Sequence, residues 1–268
     1  MASSQRNPRG FPAPPLFIGL AGLGAAFFLL PLAGLLVRTP WGSAWQLLTS
    51  PEALTALRLS LLASLSATAI ALIVGVPLAW IFARIAFPGR AVLRALTVLP
   101  MVLPPVVGGV ALLAAFGRRG LVGTWLEQAF GIHIPFTTAG AILAESFVAM
   151  PFLVITVEAG LRGMDLRFED AARTLGARRW TVLWRVTLPL VRPSLVAGAV
   201  LCWARALGEF GATITFAGNF PGRTQTMPLA VYLALETNPD AAIVLSLVLL
   251  AVSLAVLIGL RDRWLGAS

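Results

Sequence analysis

Six long stretches of this chain are dominated by apolar residues, and the polar segments between them are short and rich in arginine. Crossing a hydrocarbon core of ~30 Å takes about 20 helical residues, a length each stretch reaches. They run Leu16–Val37, Leu54–Ala83, Ala91–Phe116, Thr138–Leu161, Pro193–Phe216 and Ala241–Leu260. Helices are required, because lipid cannot satisfy the backbone of an open strand edge. The pattern therefore predicts an all-α integral membrane protein with six transmembrane helices. The first stretch follows Arg6 and Arg9 but is too long for the core of a secretory signal, and no clear small-x-small cleavage site precedes Arg38. A retained first span is expected.

Composition agrees with the pattern. Hydrophobic residues make up 58% of the 268 and charged residues 12%, with a mean hydropathy of +0.89. A soluble domain of this size would need far more polar surface to cover its core. The net charge of +9 raises the question of nucleic acid. Its basic residues are all arginine, however, and they are scattered between apolar runs rather than gathered on one soluble face, so no nucleic-acid partner is expected. A single cysteine, Cys202, excludes an intrachain disulfide and a cysteine-rich metal site. With His133 the only histidine, His/Cys metal clusters and a histidine-based catalytic relay lack their parts. No metal ligands and no catalytic residues are assigned. The chain also has no lysine. A P-loop needs one to reach the β- and γ-phosphates, so any ATP used must be handled by a partner.

Arginine placement predicts the orientation. With the N-terminus inside, the inner segments hold Arg6, Arg9, Arg84, Arg90, Arg94, Arg162, Arg167, Arg173, Arg178, Arg179, Arg185, Arg192, Arg261 and Arg263. The outer segments hold Arg38, Arg58, Arg118, Arg119 and Arg223, and Arg205 falls inside a span. Fourteen against five reads as both termini cytoplasmic. Residues 1–15, rich in Ser, Arg and Pro, are expected to be a loose cytoplasmic tail, and 16–268 a single transmembrane domain. There is no tandem repeat, nor the paired broken segments that mark inverted-repeat secondary transporters.

Three segments carry candidate function. Asp165–Trp184 reads as one or two short amphipathic helices, with Asp165, Glu169 and Asp170 early and Arg178, Arg179 and Arg185 late, as the helix dipole favours. Ala171 and Ala172 leave a small-residue face for close packing, and Gly176 permits a turn. From these residues alone the segment is either a docking helix or an interfacial helix lying on anionic lipid.

The second segment, Trp203–Phe216, places Arg205 and Glu209 in an apolar span, where each charge costs several kcal/mol unless paired or hydrated. Counted from Pro193 along one continuous helix, Arg205 would lie ~18 Å and Glu209 ~24 Å across, both on one face. That face either lines a pore, with Arg205 attracting an anion and Thr213 and Thr215 offering hydroxyls, or forms a structural ion pair. The third segment, Leu99–Gly109, contains Pro100, Pro104 and Pro105. Prolines remove backbone donors and kink the helix, which either borders a gate or is a static bend.

Asp170-Ala171-Ala172, Gly176 four residues on and Leu188-Pro189 downstream resemble the EAA loop of ATP-binding-cassette importer permeases, with Asp170 where that family usually has Glu. Further stretches resemble the molybdate branch: Leu103–Val107, Gly117–Gly120, Ala171–Ala177, Arg205–Phe216 and Thr226–Tyr232. The likeness runs from about Leu54 to the C-terminus. It implies a type I importer permease in the cell inner membrane, with a cytoplasmic coupling loop over 165–189. The implied ATPase-docking residues are Glu169, Asp170, Ala171, Ala172, Gly176 and Ala177. The translocation path would involve Arg205, Glu209, Thr213, Thr215, Pro104 and Pro105. Implied partners are an ABC ATPase subunit, a second copy of this chain, an extracytoplasmic molybdate-binding protein and membrane lipid. No cofactor is expected on this chain, which is not itself an enzyme; ATP and Mg would be used by the ATPase. Sulfate or tungstate is the alternative cargo, and an ATPase-independent ion-coupled transporter or channel is the alternative class.

Overall fold

The computed structural model describes residues 14–264. The expected tail therefore lies almost wholly outside the described residues, as do Arg6, Arg9 and the side chains of Arg261 and Arg263. Every regular element among the described residues is helical. In chain order these are α1 Pro15–Arg38, α2 Ala44–Leu48, α3 Pro51–Arg84, α4 Arg90–Met101, α5 Pro105–Phe116, α6 Gly123–Phe130 and α7 Thr138–Gly163. The short α8 Arg167–Thr174 precedes α9 Arg179–Leu190, α10 Arg192–Leu207, α11 Gly211–Phe216, α12 Met227–Thr237 and α13 Pro239–Trp264.

Four helices are long and apolar enough to cross a bilayer unaided: α1, α3, α7 and the Pro239–Gly259 portion of α13. They coincide with the first, second, fourth and sixth predicted spans. The other two predicted spans are not continuous helices. Ala91–Phe116 is two helices, α4 and α5, bent by 119° across residues 102–104. Pro104 and Pro105 lack amide donors, and the extended Pro104 opens α5 with Pro105 in its first turn, where the missing N–H costs nothing. Pro193–Phe216 is likewise interrupted: α10 ends at Leu207 and α11 begins at Gly211. The helix α12 was not anticipated. It is an 11-residue apolar segment, too short to be read as a span.

The core is built around α7, which α3 flanks on one side and α10 on another. Ala67, Ala71, Ala79, Phe82, Ala149, Leu153, Val154, Val157, Leu161, Cys202 and Ala206 form its main cluster. Alanine and glycine predominate where these helices meet, which suits lipid: with no hydrophobic force between apolar helices, close backbone approach supplies the attraction. Gly198 of α10, for example, sits so close to α7 that an added Cβ would lie 3.3 Å from the Leu153 carbonyl oxygen. Polar clips add direction. The Trp203 indole N–H donates to Ser64 Oγ at 3.1 Å, and the Met227 amide donates to Ser60 Oγ at 2.7 Å. By contrast, α1 buries none of its residues within this chain.

Candidate functional site

The helix α8 is held at both ends by local chemistry. At its start, Asp165 Oδ1 accepts the Arg167 amide at 3.0 Å, and Glu169 and Asp170 occupy the first turn. At its end, the Gly176 amide bonds to the Arg173 carbonyl at 2.9 Å and the Ala177 amide to the Ala172 carbonyl at 3.0 Å. This paired closure needs a left-handed residue after the helix, and Gly176 adopts φ +81°. The spacing of glycine from the acidic pair is therefore a helix-length signal.

Successive residues of a helix are rotated by about 100°, so Glu169 and Asp170 cannot face the same way. Asp170 is exposed along with Ala171 and Gly176, while Ala172 and Ala177 are half-buried. Phe168 and Leu175, at 57% and 88% exposure, add apolar surface to the same segment. Glu169 points inward. It is 6% exposed and the only buried residue of α8. Its Oε1 accepts Arg84 Nη2 at 3.1 Å and the Thr187 hydroxyl at 2.8 Å, and Oε2 accepts Arg173 Nη2 at 3.5 Å. Glu169 thus sits behind the exposed face on which the sequence had grouped it with Asp170.

A second buried carboxylate lies at the same end of the bundle. Glu158 of α7 pairs with Arg94 Nε of α4 at 3.0 Å and with Arg162 Nη2 at 2.7 Å. Arg162 also donates to the Phe82 carbonyl at 3.2 Å, near the end of α3, where Arg90 is a further donor. In the sequence, Arg84 and Arg94 served only as topology markers. The partners stand 64 and 85 residues apart, so no local pattern joins them.

The two segments suspected of bordering a path are brought together. A Cβ on Gly211 would lie 2.5 Å from Pro105 Cβ, and one on Gly109 would lie 2.5 Å from Thr215 Cβ, so α5 and α11 pack with almost nothing between their backbones. The two helix breaks thus meet at one place. Arg205 Nη2 lies 2.6 Å from Glu209 Oε2, and the other carboxylate oxygen, Oε1, accepts the Ala212 amide at 2.7 Å. Glu209 therefore bridges the break, pairing with α10 on one side and capping α11 on the other. The Thr215 hydroxyl donates to the Gly211 carbonyl at 2.8 Å and is used within its own helix. Thr213 is fully buried, and its hydroxyl has no hydrogen-bond partner among the described residues. Glu145 of α7, 1% exposed, lies near enough to feel the Glu209 charge, and its Oε2 is also without a partner there. Among the described residues no group of three or more His, Cys, Asp or Glu side chains could hold a metal.

The pattern of the family described as "binding-protein-dependent transport system inner membrane component" matches residues 71–266. This chain belongs to that family. Among family relatives, the molybdenum transport system permease protein ModB of Mycobacterium bovis is 50% identical over 242 residues, covering 90% of each chain. The protein of the same name from Escherichia coli K12 is 44% identical over 220 residues, covering 82% of this chain and 96% of its own. The sulfate transport system permease protein CysT of Escherichia coli K12 is 39% identical over 237 residues, covering 87% and 85%. The fold is that of ABC importer permeases. A bacterial ABC transporter for import of the polysaccharide alginate aligns with a TM-score of 0.69 at 16% identity, covering 94% of this chain and 96% of the other. The inward-facing MetNI methionine ABC transporter aligns at 0.54 and 19% identity, covering 88% and 97%. The family member described here is a multi-pass helical membrane protein.

Proposed function

We propose that this chain is the permease subunit of an ATP-driven molybdate importer, passing the oxyanion from an extracytoplasmic binding protein to the cytoplasm. The observation that carries the cargo is the 50% identity to a molybdenum permease over 90% of both chains, against 39% for the sulfate relative. The observation that carries the mechanism is α8, a short polar helix presenting Asp170 and Ala171 outward, with Leu175 exposed just beyond its end. An ABC ATPase subunit docks there and uses ATP and Mg on its own surface. A second copy of this chain completes the path, and both termini face the cytoplasm, as the arginine distribution favours.

ATP binding draws the docked helices together and turns the spans outward, and hydrolysis returns them. This is alternating access between two packings of one bundle, with no chemical step on this chain. Arg205, Glu209, Thr213, Thr215, Pro104 and Pro105 lie along the path, where α5 and α11 meet. An ATPase-independent transporter would leave the exposed α8 face unexplained.

Two measurements test this. Labelled molybdate uptake at nanomolar concentration is expected to require the chain and to resist a large excess of sulfate, and abolition by sulfate would reassign the cargo to sulfate. Tungstate competition separates the remaining tetrahedral dianion. Asp170→Arg is expected to strip the ATPase from the purified complex, and unchanged co-purification with unchanged transport would remove the docking role.

A further inference from the structure

The helix through which an ATPase would push is scarcely packed to the bundle by apolar contact. Its single buried residue is Glu169, a carboxylate. Whatever joins α8 to the spans must pass largely through that group's bonds and through the two chain connections. One of those connections turns at Gly176, a position free of side-chain packing.

Glu169 reaches two other elements, one of them 85 residues away. Arg84 is the last residue of α3, a 34-residue helix that crosses the whole bundle. Thr187 closes the π-helical turn Leu183–Thr187 of α9, just before the 69° bend into α10. Both bond the same oxygen, Oε1, so a shift of α8 strains both contacts together. Arg84 is itself largely enclosed, at 15% side-chain exposure, and its Nε has no partner among the described residues. Glu169 supplies its only carboxylate partner there. A buried arginine left without its counter-charge is costly, which makes the contact one that moves as a unit or rearranges, rather than one that loosens gradually.

We propose that Glu169 is a positioning residue that transmits movement of α8 to α3 through Arg84 and to α9–α10 through Thr187, and that it takes no part in gripping the ATPase. The division of labour follows from geometry: Asp170 faces out to the partner, and Glu169, one residue away, faces in to the spans. The inference rests on the reading of α8 as the ATPase-docking helix.

The test uses the full complex of permease, ATPase and binding protein in liposomes, measuring ATP hydrolysed and labelled molybdate taken up in the same vesicles. Glu169→Gln keeps the shape and removes the charge. It is expected to retain the ATPase on purification and to continue hydrolysis, while uptake per ATP falls about tenfold, a typical coupling between sites. Thr187→Val leaves every charge in place and is expected to lower uptake per ATP by about fivefold, the loss of one hydrogen bond. It also serves as the test if the Glu169→Gln permease itself fails to fold. The exchange Arg84→Glu with Glu169→Arg is expected to recover part of the ratio lost in Glu169→Gln.

A merely structural Glu169 would lower yield and both activities together, leaving the ratio unchanged, and that result overturns the proposal. Loss of the ATPase from the Glu169→Gln complex overturns it too, by making Glu169 a docking residue. If Asp170→Arg also keeps the ATPase, the docking reading itself has failed. If Asp170→Arg loses the ATPase while Glu169→Gln stays fully coupled, only the present inference falls.

Discussion

Two buried glutamates, each paired with arginine, behave differently in this protein. Glu169 binds Arg84 from 85 residues away and joins three elements. Glu209 binds Arg205 four residues away and spans one break within what the sequence suggested was a single helix. The charge balance also differs. Glu169 faces two arginines, Arg84 and Arg173, at an end of the bundle already rich in arginine. Glu209 has Arg205 and, close by, a second carboxyl at Glu145. A carboxylate that reaches across elements can carry motion between them. One that reaches along its own chain mainly fixes a local shape, and it leaves Arg205 half-exposed on one side. The contrast separates a joint from a brace.

The sharpest way to break the contrast is to remove the brace. Glu209→Ala leaves the Arg205 guanidinium without its partner and α11 without its cap. Removing one member of a buried pair costs about 3–5 kcal/mol, so a large fall in the thermal midpoint in detergent is expected. Replacing both residues by apolar ones of similar size, Arg205→Met with Glu209→Leu, is expected to restore most of that stability. The double variant then separates the two meanings of the pair. A folded double variant that no longer takes up molybdate assigns Arg205 to the path, and one that transports normally assigns the pair to structure alone.

A smaller effect is expected at the joint's own boundary. Gly176 holds φ +81° in open space, so Gly176→Ala adds backbone strain of about 1 kcal/mol and no clash. The strain falls on the end of α8, behind the exposed face. The expected outcome is ATPase binding weakened by about fivefold in a titration of the detergent-solubilised permease, with the bundle's thermal midpoint unchanged. A fall in the midpoint would instead mean that α8 is part of the cooperative core.

How much of this was legible in the sequence follows the same divide between local and distant pairing. The spans of α1, α3, α7 and α13 were readable because hydropathy over about 20 residues is a local property. So was the Arg205–Glu209 pair, since the i, i+4 spacing survives even where the helix breaks after Leu207. The break itself was hidden. Gly208 and Gly211 flank Glu209, but glycine is common in membrane helices and no proline marks the spot. Pro104 and Pro105 announced a kink without its 119° size or the close approach of Pro105 to Gly211. The resemblance to importer permeases grouped Glu169 with Asp170 as docking residues, with no account of which way each side chain points. Helical rotation alone would have sent one of the two inward, though not to Arg84 or Thr187, whose positions only the folded chain supplies.

The smallest expected effect sharpens the comparison at its charge balance. Glu145 is enclosed in α7 beside Glu209, and one of its oxygens meets no donor among the described residues. Glu145→Gln keeps the volume, removes the carboxyl group, and supplies an amide that can donate as well as accept. Stability is expected to be unchanged or higher by up to about 1 kcal/mol, since trading an unsatisfied acceptor for a neutral amide costs little in a buried site. Uptake of the dianion is expected to persist, because the substitution weakens no attraction between Arg205 and an approaching anion. The same substitution at Glu169 is expected to uncouple the complex, so the pair of glutamine variants tests the contrast directly. A Glu145→Gln protein that unfolds, or that binds the ATPase and hydrolyses ATP without transport, would show that the inner cluster is a working part of the cycle and not a brace.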